Sequence, residues 1–96
     1  MTTVFLFAHQ DDEIGALHEV AETKRLGGAA ACIFLTNGAW AGVTSDVRNA
    51  ESAKTLTALG VLPSEIHYLG TDIGVPDGGL IENLDRCFDA VSKLVI

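Results

Sequence analysis

Two stretches of the chain are almost continuously apolar, Val4 to Ala8 and Ala30 to Thr36. Runs of this length without alternation suit strands buried on both faces of a parallel sheet. Between them Ile14, Leu17 and Ala21 fall at helical spacing, so Asp12 to Leu26 is predicted as a helix that Gly27-Gly28 closes. Thr44-Ser45-Asp46 supply N-cap residues for a second helix, which carries the apolar residues Val47, Ala50, Leu56 and Leu59 and stops at Gly60. Glu65 to Leu69 reads as a third, shorter strand, and Gly70 to Gly79 as a loop rich in Gly, Pro and Asp. Leu84, Phe88, Val91 and Val95 then mark a third helix. The order β-α-β-α-β-loop-α predicts an α/β fold, a Rossmann-like, doubly wound parallel sheet with helices on both faces. Three strands make a thin sheet, and Lys93 to Ile96 is an apolar place to finish. The expectation is therefore a single domain over residues 1–96, incomplete at its C-terminus. Its uncovered apolar surface would favour self-association into a homo-oligomer, or poor solubility.

Composition narrows the partners. A formal charge of -7 argues against nucleic acid and against an anionic membrane surface, both of which want a basic face. A metal, a cationic ligand or a neutral polar substrate fits better. Cys32 and Cys87 lie far apart in no metal-type spacing. Cys32 sits inside an apolar run and reads as a small buried hydrophobe. No signal-like or membrane-spanning segment is recognisable, so the expected setting is soluble, reducing and cytoplasmic.

The chemistry concentrates where the first apolar run ends, at His9-Gln10-Asp11-Asp12-Glu13. In an open α/β sheet this is the carboxyl edge of a strand, where ligands bind. So much negative charge repels itself, and a divalent cation relieves it; His with Asp is a donor set that suits zinc. One imidazole and one carboxylate would hold the metal, and a second carboxylate would take a proton from its bound water. The simpler reading has Asp11 and Asp12 capping the first helix, with His9 incidental. One cap accounts for one Asp, not for two with a His and a Glu.

Ala8-His9-Gln10-Asp11-Asp12-Glu13 resembles the Ala-His-Pro-Asp-Asp-Glu motif of the LmbE-like, or PIG-L, family of zinc-dependent N-acetylglucosaminyl deacetylases. Leu35-Thr36-Asn37-Gly38, Arg48-Asn49-Ala50-Glu51 with Leu59-Gly60, and Leu69-Gly70 with Asp72 and Pro76-Asp77-Gly78-Gly79-Leu80 resemble later stretches of the family in order and spacing. The resemblance implies that His9 and Asp12 are zinc ligands and that Asp11 is the general base. It implies a place for Arg48 near the mouth of the site, holding substrate, and leaves Glu51 as an i,i+3 partner of Arg48. Asp72 and Asp77 lie in a loop at the same sheet edge, where Asp77 in particular could reach a sugar hydroxyl; an Asp in such a turn is also an ordinary turn former. The implied reaction is hydrolysis of the acetyl amide of an N-acetylglucosamine-type conjugate by zinc-bound water.

Two positions depart from the pattern. Gln10 stands where the family has proline, which touches the rigidity of the loop more than the chemistry. The family's third zinc ligand, in a later His-x-Asp-His type motif, has no counterpart after residue 80, so a third ligand is expected beyond residue 96. His18 lies well along the first helix, and His67 is expected inside the third strand, remote from its carboxyl end; neither is a natural substitute. Two other readings remain: an inactive binding or assembly module on the same fold, and a response-regulator-like receiver with an acidic pair after its first strand and Asp72 as phosphate acceptor. A downstream His favours the deacetylase, a distal Lys the receiver, and neither the inactive module.

Overall fold

Both apolar runs are strands in the computed structural model, which describes residues 2–95, with side chains through Leu94. β1 is Thr2–Phe7 and β2 is Ala29–Phe34, paired in parallel from Thr2 opposite Ala29 to Phe7 opposite Phe34. β3, Ile66–His67, adds to the other side of β2 in parallel, so the order is β1-β2-β3. β2 is central and is buried on both faces, with Ala30, Cys32 and Phe34 on one and Ile33 on the other. β1 is not. Phe5 and Phe7 face the core, while Val4 and Leu6 on its other face are exposed. An apolar run with a free edge is here half-buried, which continuity of hydrophobic residues does not reveal.

The core lies between the sheet and two helices, α1 (Leu17–Arg25) and α2 (Ser45–Ala58). Val20 of α1 and Leu56 of α2 close on Phe7, Ala30, Cys32 and Phe34. The Phe7, Phe34 and Tyr68 rings follow one another across the sheet at centroid distances of 5.3 and 5.9 Å. Cys32 is buried as expected. Burial, then the carboxylates of Glu65 and Glu13, push its thiol up to about 11, which leaves it an unreactive hydrophobe at neutral pH.

Where the spacing predicts one helix from Asp12, the chain first winds a tighter 3-10 turn over Asp12–Ala16. Glu13 in that turn points inward, and Gly15 adds little helix propensity. The stop at Gly27, with φ +79, and the cap on α2, where Thr44 accepts the Val47 N–H, are as predicted. The expected strand over Glu65–Leu69 shortens to two residues, because a short helix, α3 (Leu69–Ile73), occupies the start of the expected loop. Gly70 makes this possible: it lies against the Thr36 backbone with no room for a Cβ. Asp72 consequently sits in a helix, not in a loop.

α4, Leu84–Val95, lies on the opposite face of the sheet from α1 and α2. The Cys87 thiol meets the Leu35 carbonyl at 3.8 Å, and a groove of about 540 Å³ runs between Leu6, Leu35 and α4. Helices on both faces make this the small α/β, Rossmann-like arrangement the spacing predicts. The second face is incompletely covered. Of the expected α4 stripe, Val91 is half-buried, Leu84 is exposed and Phe88 is 77% exposed, whereas Cys87 is the buried residue. The side chain of Val95 lies outside the described residues.

Candidate functional site

Beyond Phe7 the chain leaves β1 at the carboxyl edge of the sheet and turns through His9, Gln10 and Asp11 into the 3-10 turn. His9 and Asp12 close this turn on each other. The His9 N–H donates to Asp12 Oδ2 at 3.1 Å, and His9 Nδ1 lies 3.6 Å from Asp12 Oδ1. Both side chains remain partly open, His9 at 40% and Asp12 at 37% exposure. His9 Nδ1 also lies 2.9 Å from the Gln10 carbonyl. With the proton on Nδ1 donated there, Nε2 keeps its lone pair, the form in which an imidazole ligates a metal.

Asp11 adopts a left-handed conformation, φ +79 and ψ -16, which Asp tolerates better than most residues. It occupies the N-cap position of the 3-10 turn, yet its carboxylate makes no capping bond. Its backbone N–H donates instead to Glu13 Oε1 at 2.9 Å, and its carboxylate meets Arg48 Nη2 at 3.2 Å. The simple capping explanation of Asp11 therefore fails. Glu13 is buried, and Ser52 of α2 donates its hydroxyl to it at 2.8 Å.

α2 presents a polar face to this loop. Arg48, Asn49 and Ser52 point inward, while Val47 and Ala50, expected in an apolar stripe, are exposed. Arg48 donates to the Gly38 carbonyl at 2.8 Å and the Gln10 carbonyl at 3.0 Å, besides pairing with Asp11. The expected substrate-holding arginine is thus seated as a brace between three segments. Gln10 is fully buried and donates Nε2 to the Asn37 carbonyl at 3.1 Å and to Asn49 Oδ1. Asn37 in turn accepts the N–H of Asp77 at Oδ1, 3.3 Å away, so the Pro76–Asp77 turn stands beside the same loop, tied by its backbone.

His18 lies exposed on α1. His67 is the last residue of the shortened β3, at its carboxyl end and opposite Ile33, which corrects the expectation that it is remote from that end. Among the described residues no group of three or more His, Cys, Asp and Glu side chains is arranged to hold a metal ion. His9 and Asp12 fit zinc by chemistry and by proximity, as two donors of a set. What hydrophobic spacing missed is the bracing: Gln10, Asn49 and Ser52. The legible sign was the polar spacing Arg48, Asn49, Ser52, an i, i+1, i+4 pattern that puts three polar residues on one helical face.

Among the described residues no helix is long and apolar enough to cross a membrane. Residues 4–95 match the sequence profile of the PIG-L family, described as GlcNAc-PI de-N-acetylase. Searches of curated proteins and of solved structures return no match. The matched span runs from β1 to the end of α4 and includes the whole His9–Glu13 cluster, Arg48 and the Asp77 turn, and on that span the chain belongs to the PIG-L family.

Proposed function

We propose that this chain carries part of the site of a zinc-dependent amide hydrolase that removes the acetyl group from an N-acetylglucosamine-type conjugate. The observation that carries this reading is the His9–Asp12 pair, two partly open donors held against each other at the carboxyl edge of β1. His9 and Asp12 would hold the metal. When bound, zinc supplies Lewis-acid polarisation of the acyl carbonyl and lowers the pKa of water to about 7. A catalytic zinc normally has three protein ligands plus water, so a third donor would have to join His9 and Asp12.

The chain's own residues divide the remaining work. Asp11, held by Arg48 at 3.2 Å, takes the proton of the attacking water. Arg48 and Asp77, which border the same loop, would contact the sugar. In balance, water adds across the amide, the carbon–nitrogen bond breaks, acetate leaves and the nitrogen takes a proton. A cytoplasmic location goes with this reading, since Cys32 and Cys87 are both free and buried.

A second reading, a binding module without turnover, draws on the lack of a third ligand among the described residues. Calorimetric zinc titration of the metal-stripped chain, beside Asp12→Ala, tests the first. One-to-one binding that disappears in the variant, followed by acetate release from N-acetylglucosamine conjugates, is the expected result. Binding indifferent to Asp12 would sink the site. Zinc binding without acetate release would favour the module.

A further inference from the structure

Gln10 is flanked by the partly open His9 and the exposed Asp11, yet it is itself fully buried. Asp11, next to it, is 57% exposed on its side chain. The Gln10 carboxamide crosses from the β1 loop to two other segments at once: Nε2 donates to the Asn37 carbonyl, just beyond β2, and to Asn49 Oδ1 on α2. Gly38 completes the seat. It is buried, has φ +68, and a Cβ built on it would overlap the Gln10 carboxamide. The backbone of residue 10 serves the same junction, because its carbonyl accepts from both Arg48 Nη2 and His9 Nδ1. The Gln10 Oε1 atom is buried with no hydrogen-bond partner among the described residues.

We propose that Gln10 is the positioning residue of this site: its buried carboxamide ties the His9–Glu13 loop to Asn37 and Asn49 and so fixes where His9, Asp11 and Asp12 stand. A proline at this position stiffens a loop through its own backbone and carries no donor. Gln10 reaches the same end through a side-chain tie to two neighbouring segments, and Gly38 is its necessary counterpart. The part of the inference that concerns metal affinity rests on the zinc reading above; the tie itself does not.

The test uses the full chain and two variants. Gln10→Met keeps the length and volume but removes both donors; Gly38→Ala leaves Gln10 but fills its seat. The Asp11 and Ile14 amides, bonded to Glu13 and to the Asp11 carbonyl, report the loop by hydrogen exchange; the β2 amides report the core. In both variants the loop amides should lose protection on the order of tenfold while β2 keeps its own. Uniform loss throughout the chain would reduce Gln10 to an ordinary core residue and overturn the proposal. Unchanged loop protection would overturn it equally. Zinc titration is the second readout, with affinity in Gln10→Met falling on the order of tenfold if the ligands are displaced. A wild type that binds no zinc but shows the loop-specific loss keeps the tie and removes the metal reading. Equal zinc affinity in wild type and Gln10→Met, with the loop loosened, overturns the positioning role.

Discussion

The two edges of the sheet treat their carboxylates differently. At the amino edge, Glu65 receives the Lys24 ammonium on both oxygens at 2.8 and 3.1 Å, the Leu62 N–H at 2.8 Å and the Ala30 N–H at 2.7 Å. It joins the end of α1, the start of β2 and the turn before β3, and leaves little of itself open. At the carboxyl edge, the three neighbouring carboxylates Asp11, Asp12 and Glu13 share the work unevenly. Glu13 is buried and bonded like Glu65, though to a hydroxyl and a backbone N–H instead of a cation. Asp11 and Asp12 keep open faces toward solvent. Charge is fully satisfied where it serves the fold and left partly available where a ligand is expected. That contrast is what the proposed function leads one to expect of carboxylates that serve the fold and carboxylates that meet a ligand.

The amino edge should therefore be the costly one to disturb. Glu65→Ala leaves a half-buried ammonium and two backbone N–H groups without their partner, a loss of about 3 kcal/mol in urea unfolding. Its pH dependence has a definite sign. Burial raises the Glu65 pKa, but Lys24 with the Leu62 and Ala30 N–H groups outweighs it and holds the carboxyl below its ordinary value of 4.5. A depressed folded-state pKa contributes stability that is present above the unfolded value and lost as pH falls through the folded one. The gap between wild type and Glu65→Gln should thus be full at neutral pH and shrink as the pH drops below the ordinary carboxylate range. A gap that widened in acid would break the comparison at its firmer end.

The same contrast shows how much could be read in the sequence. The strands and the Gly27 and Gly60 stops were legible because hydrophobic continuity and backbone freedom are local properties. The His9–Asp12 pair was legible through the family resemblance alone, since spacing by itself left open which carboxylate stands beside the imidazole. The shortness of β3 and the presence of α3 were not legible, because Gly70 works by admitting the Thr36 backbone, a contact between segments far apart in sequence. The face of α2 was misjudged for a related reason. Val47 and Ala50 look like core but face solvent, because the segment packed against α2 is a polar loop that Arg48, Asn49 and Ser52 turn to meet. Gln10 reads as a lost proline until its partners at Asn37 and Asn49 are in place. Spacing reports what one element can bury, not what it will face.

Between the two extremes stands Glu13, and Ser52→Ala sharpens its position. The substitution leaves a buried carboxylate with the Asp11 N–H as its remaining donor in this turn, at a cost of about 1–2 kcal/mol. Urea unfolding followed by circular dichroism measures it. A neutral result would mean that Glu13 finds another donor, and its likeness to Glu65 would be lost.

The smallest effect on stability belongs to the residue with the largest expected effect on chemistry. Asp12 accepts one N–H, from His9, and remains 37% exposed, so water replaces much of what Asp12→Ala removes. The same substitution takes one negative charge from beside Asp11 and Glu13, which relieves repulsion of comparable size. The two terms oppose each other, and the unfolding free energy should change by no more than about 0.5 kcal/mol. Because zinc binding is expected to vanish in this variant, a folded chain with an unaltered urea midpoint isolates ligation from folding. A loss as large as that of Glu65→Ala would instead place Asp12 with the structural carboxylates, and the difference between the two edges would disappear.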